Sequence, residues 1–178
     1  VTLTLSSPDE ADIDQVRFSE DGVNWTAWEP FSSTRAYTLP AGDGVKEVRF
    51  QVRDLAGNTA TFSDEVTLDG TAPGGSILIN GNDPYSPDTQ VNLNLTASDA
   101  TSGVDQVRFS MDATTWSDWE PFAAARVFTL PDGDGSKTVH FQIRDQAGNA
   151  AAFQDAITMD ATAPTGSVAI NDGATHTI

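Results

Sequence analysis

Aspartate is the main chemical resource of this chain, and its spacing recurs. Asp54 stands four residues before Asn58 in Asp-Leu-Ala-Gly-Asn, and Asp145 stands four before Asn149 in Asp-Gln-Ala-Gly-Asn. Asp69 and Asp160 each open a segment that carries Thr-Ala-Pro. Calcium takes six to eight oxygens from carboxylates, amides and backbone carbonyls, and converging loops of a β-domain can supply them. The expected set in the second half of the chain is Asp69, Asp99, Asp145 and Asn149. In the first half it is Asp9 or Asp12, Asp54 and Asn58, with Asp160 arriving from a preceding unit. A structural role competes: Asp54 and Asp145 accept the amides of tight turns in which Gly57 and Gly148 take positive φ. Both readings stay open on the residues alone.

Trp25 and Trp28, like Trp116 and Trp119, are pairs at a spacing of three. On an extended strand that spacing turns the rings to opposite faces. One ring is expected in the core and the other on the surface, against the stem of Arg35 or Arg126. An exposed indole also stacks on sugar rings, so Trp28 and Trp119 are candidate glycan contacts. Asn24-Trp25-Thr26 and Asn94-Leu95-Thr96 are acceptor sequons at non-equivalent positions, making Asn24 and Asn94 candidate glycosylation sites. No catalytic arrangement emerges. His140 and His176 have no cysteine to work with, His140 aligns with Arg49, and no serine lies in a G-x-S-x-G context. The chain is expected not to be an enzyme.

Charge narrows the partners. The 26 acidic and 9 basic residues give −17, which repels nucleic-acid phosphates and suits a solvated surface or divalent cations. There is no cysteine, so disulfides stabilise nothing here. No apolar run approaches the length of a membrane span.

The elements that position these groups are strands. Val1-Leu3-Leu5 and Val91-Leu93-Leu95 alternate with polar residues, the period of a half-buried strand. Val48-Phe50-Val52 and Val139-Phe141-Ile143 do the same. Seven short strands per repeat, separated by Gly, Asp, Asn and Pro turns, predict an antiparallel sandwich. In the second repeat they are expected at 75–80, 91–97, 105–110, 115–122, 126–130, 137–145 and 152–159 (A, B, C, C′, E, F and G). The linkers 69–74 and 160–165 are short and stiffened by proline.

Asp14–Pro73 aligns without gaps on Asp105–Pro164 at an offset of 91, with 36 of 60 positions identical. A third copy opens with GSVAIN at Gly166, matching GSILIN at Gly75, and runs to Ile178. Val1 aligns with Val91, so the first copy is without the strand that the tail carries. The expected organisation is 1–70, a sandwich domain lacking strand A; 71–161, a complete domain; and 162–178, linker and strand A of the next unit. An unpaired strand edge invites such pairing. Val168 and Ile170 are therefore expected to meet Val1, Leu3 and Leu5 of another copy of the chain. The contact is head to tail and propagates as a filament. Either a peptide bond or a donor-strand ladder joins the units.

RDLAGN and RDQAGN, each followed by a strand and then DGTAP or DATAP, resemble the tandem Ig-like repeats of bacterial and archaeal surface proteins. The resemblance covers essentially the whole chain. It implies an all-β fold of two tandem Ig-like antiparallel β-sandwiches and an extracellular or cell-surface location. Such repeats serve as stalks, fibres, adhesin arms and enzyme accessories alike; with the tail strand, the expected role is a building block of a filament or stalk, with copies of itself as partners. Alternatives are an adhesin arm that binds a glycan or host surface, and an accessory module of a secreted hydrolase.

Overall fold

The computed structural model describes residues 1–6, 12–173 and 176. It is all-β, and among these residues there is no α-helix. The first repeat holds β1 (Thr2–Thr4), β2 (Ile13–Ser19), β3 (Glu29–Pro30), β4 (Thr34–Ala36), β5 (Gly44–Asp54) and β6 (Thr59–Leu68). The second holds β7 (Gly74–Ile79), β8 (Tyr85–Ser86), β9 (Gln90–Ser98), β10 (Val104–Ser110), β11 (Glu120–Pro121), β12 (Ala125–Thr129), β13 (Gly135–Asp145) and β14 (Ala150–Met159). By compactness the chain divides into two units. The first comprises 1–73 with 99–104 and 144–150; the second comprises 74–98, 105–143 and 151–178.

The second repeat is a complete two-sheet sandwich. One sheet runs β12-β9-β7 and the other β11-β10-β13-β14-β8. Inward positions alternate as the period-2 pattern requires: Ile77, Ile79, Val91, Leu93, Leu95, Val107, Phe109, Val139, Phe141, Ile143, Ile157 and Met159 are buried. Phe141 lies between Phe109 and Phe153, with ring centroids 5.4 and 6.5 Å away.

Two sequence expectations are corrected here. The C′ strand does not span 115–122; it shrinks to β11, beside an isolated bridge from Ser110 to Trp116. Residues 116–119 turn instead, because Ser117 donates its amide to the Phe109 carbonyl (2.8 Å) and accepts the Phe109 amide on Oγ (3.1 Å). The other correction is β8, an edge strand that pairs in parallel with the end of β14, Thr158 against Tyr85 and Met159 against Ser86. Two residues without an apolar period leave no signal to read.

The first repeat reproduces β3-β2-β5-β6 but opposes it with only two strands, β1 and β4. Among the described residues no strand takes the places that β7 and β8 hold in the second repeat, and apolar side chains are exposed there. Val1 is 60% exposed where its counterpart Val91 is 1%, and Val66 is 45% exposed where Ile157 is 2%. Phe62 is 51% exposed. What remains of the core is Leu5, Val16, Phe18, Val48, Phe50 and Val52, with Leu3, Ile13, Phe31, Tyr37 and Leu39 packed against it.

The turn after strand C shows how the two copies diverge. Asp21 accepts the amides of Val23 (2.8 Å) and Asn24 (2.7 Å), and Gly22 takes φ 74°. Asp112 accepts those of Thr114 (2.8 Å) and Thr115 (2.6 Å), and the residue at the glycine position, Ala113, is forced to φ 59°. These donors hold both carboxyls far below the usual aspartate range, with the amide of Asn24 and that of Thr115 the largest causes. A left-handed alanine is strained relative to glycine. Ala113→Gly is expected to raise stability by roughly 0.5–1 kcal/mol, read as a higher denaturant midpoint at unchanged slope; a lower midpoint would contradict it.

Candidate functional site

Two features carry the candidate chemistry: a carboxylate group around Asp145 and an open groove on the first repeat. In the first, one oxygen from each of Asp69, Asp99 and Asp145 lies within 4.8 Å of the others. Three segments deliver them. Asp145 ends β13, and its turn is closed by Asp145 N donating to Asn149 O (3.1 Å), with Gly148 at φ 96°. Asp99 opens the loop before β10 and folds it by accepting the amides of Thr101, Ser102 and Gly103 on Oδ1 (2.8–3.1 Å). Those amides, Gly103 first, hold the Asp99 carboxyl below its ordinary value. Asp69 arrives on the linker, accepting Thr71 N on Oδ1 (3.0 Å) and Ser102 N on Oδ2 (3.1 Å).

Asn149 ties the group together. Its Nδ2 donates to Asp145 Oδ2 (2.9 Å) and to the Asp69 carbonyl (3.2 Å), while its amide donates to Asp145 Oδ1 (2.8 Å). Asp145 is 1% exposed, so these bonds offset the desolvation of a buried carboxylate. The structure thus brings together the four residues expected of a calcium site in the second half. The fit to a metal is partial. Three carboxylates fall short of six to eight ligands, and Asn149 presents its donor to the group. Every carboxylate already accepts backbone amides, so the arrangement is complete as a clamp.

The first-half set does not assemble in this way. Asp54 accepts Asn58 N and Nδ2 (both 2.8 Å), Gly57 takes φ 90°, and the Asn58 side chain is the main cause of a lowered Asp54 carboxyl. Asp12 contributes its carbonyl, to Leu55 N (3.2 Å). Asp9 lies outside the described residues. Asp160 accepts Thr162 N (3.2 Å).

Sequence reasoning missed Asp43 and Asp134. Asp43 accepts Gly70 N (2.8 Å) and the Thr71 hydroxyl, and Asp134 accepts Ala161 N (2.8 Å) and the Thr162 hydroxyl (2.6 Å). Each ties the start of a Thr-Ala-Pro linker to a loop of its own repeat. The recurring Gly-Asp-Gly at 42–44 and 133–135 was the available signal.

The tryptophans are also placed differently from expectation. Neither member of a pair enters the core; all four are half-buried and bracket an arginine. The Arg17 guanidinium lies 4.9 Å from the Trp25 ring and 4.5 Å from Trp28, and Arg108 lies 5.0 Å from Trp116 and 4.4 Å from Trp119. The opposite-face rule fails because residues 25–28 and 117–119 are not extended strand. Arg35 and Arg126 stack instead on Phe18 and Phe109 (4.5 and 4.6 Å). Asn24 is engaged through Nδ2 with Asp21 Oδ2 (2.6 Å), and Asn94 lies inside β9 with its side chain exposed.

The second candidate is a groove of about 600 Å³ between β1 and β6. Its walls include Leu3 from β1 with the flanking Val1 and Leu5, Phe50 from the core, and Phe62 and Val66 from β6. Asp64 stands at its lip, Oδ1 accepting Glu65 N (2.9 Å). The tail that was expected to be a strand has no ladder partner among the described residues, and Val168 and Ile170 are 91% and 75% exposed. It carries a 3-10 turn at Asn171–Gly173, where Gly173 N donates to Ile170 O (3.1 Å).

The profile of the bacterial Ig-like domain family matches residues 1–70 and again 75–161. The chain belongs to that family. This membership accounts for the doubled sandwich and its repeated turns, and the modules of this family are generally non-catalytic. No curated protein matches the sequence. Among solved structures, the fibronectin(III)-like modules of Clostridium thermocellum CbhA match with a TM-score of 0.50 at 14% identity, over 89% of this chain and 83% of theirs. A tetra-tandem repeat from the extending region of a large adhesion protein matches at 0.36 and 20% identity, over 91% of this chain and 45% of that one. The Bacteroides ovatus protein SGBP-B, of a mixed-linkage glucan utilization locus and solved with a mixed-linkage heptasaccharide, matches at 0.27 and 17% identity, over 90% and 42%. The Ig-like chain thus spans less than half the length of the last two. Its described residues contain no helix long and apolar enough to cross a membrane, which leaves β-barrels unaddressed.

Proposed function

We propose that the chain is a structural unit of an extracellular filament or stalk, in which a strand from one unit completes the first domain of the next. The observation that carries this reading is the groove between β1 and β6, open where the second repeat seats β7. A sandwich that exposes Val1, Phe62 and Val66 around such a groove has an unpaired strand edge beside apolar surface, the arrangement that strand addition satisfies. The −17 charge keeps such units soluble without opposing a main-chain ladder. The tail 165–178 has the matching sequence, and the same contact arises whether a peptide bond or only the ladder joins the units.

The clamp around Asp145 belongs to the same mechanical role, since it fixes the linker after β6. Calcium is the ion such oxygens would take, but three carboxylates that already accept amides fall short of the six to eight ligands it needs. The adhesin reading through Trp28 and Trp119 is less well supported, because arginine covers a face of each ring. Imaging native material together with its denatured mass tests the proposal. Regular linear assemblies are expected, and native material that stays as dispersed single units would refute it.

A further inference from the structure

We propose that Arg17 and Arg108 are two equivalent binding sites for the carboxylate of an acidic sugar, a uronate set in an otherwise neutral glycan. These two guanidinium groups stand out because no carboxylate of their own chain meets them among the described residues. Arg35 pairs with Glu29, Arg49 with Glu47, Arg53 with Asp14 and Arg126 with Glu120. Arg17 and Arg108 instead donate from Nε to an amide oxygen, that of Gln51 (2.8 Å) and that of Gln142 (2.7 Å). Their terminal nitrogens are open to solvent, since Arg35 Nε is the one buried side-chain polar atom without a partner among the described residues. The chain has 26 acidic side chains, so a cation left unpaired at the same place in both repeats does not reflect a shortage of anions.

The surroundings fix each guanidinium and leave its fork free. Indole rings lie 4.9 and 4.5 Å from it in the first repeat and 5.0 and 4.4 Å in the second, while the glutamine holds the Nε end. Gln51 is held in turn, its Nε2 donating to the Thr61 hydroxyl (2.9 Å). A planar guanidinium fixed in this way can meet a carboxylate through two parallel N–H···O bonds with little side-chain freedom left to lose. The groups beside the fork are indole, amide and hydroxyl, the mixture of aromatic surface and placed polar atoms that orients a small polar ligand. Here the sugar is anchored through the arginine rather than stacked on an indole, so the arginine cover that counts against a stacking platform is what builds the site. Charge then selects among anions. A polymer with an acid on every unit is repelled by the −17 of the chain. A single carboxylate responds mainly to charges within about 8 Å, the screening length at physiological salt, and at this place the guanidinium is the nearest.

The four tryptophans make the test local, because each indole N–H of the isotope-labelled chain gives its own NMR signal. The probes are methyl glucuronide and methyl glucoside, which differ only in a carboxylate against a hydroxymethyl group, and sodium acetate as the bare acid, all at matched ionic strength. Methyl glucuronide is expected to shift the signals of Trp25, Trp28, Trp116 and Trp119 saturably, with a midpoint at least tenfold below that of either control. Arg17→Lys keeps the charge but loses the fork, and should abolish the shifts at Trp25 and Trp28 while those at Trp116 and Trp119 remain. Gln51→Glu leaves the arginine in place and supplies an internal carboxylate, and should have the same effect. Dispersed backbone signals and the unaltered second repeat report folding in the same sample. Equal midpoints for glucuronide and glucoside, or shifts that persist at Trp25 and Trp28 in both folded variants, would overturn the proposal. An acetate midpoint equal to that of the glucuronide would overturn the assignment to a sugar.

Discussion

Placing the tail sequence 165–178 ahead of Val1, joined by the Asp-Thr-Gln that precedes Val91, is expected to raise the melting temperature of the first repeat by about 10 °C or more. Burying two side chains such as Val168 and Ile170 contributes roughly 1.5–3 kcal/mol each. Cover for Val1, Phe62 and Val66 and a new ladder add to this. Ordering the added segment takes back much of the gain, though the turn at Asn171–Gly173 is formed beforehand. A net of about 2 kcal/mol shifts the midpoint of a domain this size by ~10 °C. Calorimetry should show the lower transition moving up while that of the second repeat, already holding β7, stays put. An unmoved lower transition would mean that the groove does not accept this strand.

Asp145→Ala should be the most damaging single change to the clamp, at roughly 2–3 kcal/mol, because it strips half-buried donors of their buried acceptor. The Asn149 amide and side-chain nitrogen both lose their carboxylate, and Asn149 then holds the Asp69 carbonyl without support. Asp54→Ala removes the same turn contacts at a solvent-accessible site and should cost distinctly less. Denaturant melts of the two variants measure the difference; equal losses would assign the effect to the turn alone. Running the same melts with calcium and with chelator separates the two roles of the carboxylates. A midpoint indifferent to both is expected of an amide clamp, whereas a calcium-dependent rise lost in Asp145→Ala would identify a metal site.

Much of this was legible in the residues because repetition removes ambiguity. A period-2 pattern seen twice in register, as in Val48-Phe50-Val52 and Val139-Phe141-Ile143, fixes both the strand and its inward face. The convergence of Asp69, Asp99, Asp145 and Asn149 could be read because loop ends of a sandwich meet in a known order. The tryptophans misled for a physical reason. The opposite-face rule applies only to extended backbone, and the Ser117 hydrogen bonds turn the segment that carries Trp116 and Trp119. The strand at Tyr85–Ser86 left no trace, since two residues held by main-chain bonds alone need no particular side chains. Asp43 and Asp134 escaped notice because their partners lie 27 or 28 residues away in sequence.

The groove is the feature on which the proposed function turns. The most direct test is a map of the native assembled material at side-chain resolution. The account predicts an extended strand between β1 and β6 of the first repeat, antiparallel to β1, with Val168 and Ile170 of a neighbouring unit pointing inward. Assembled material in which that groove stays open, with units joined through some other surface, would contradict it.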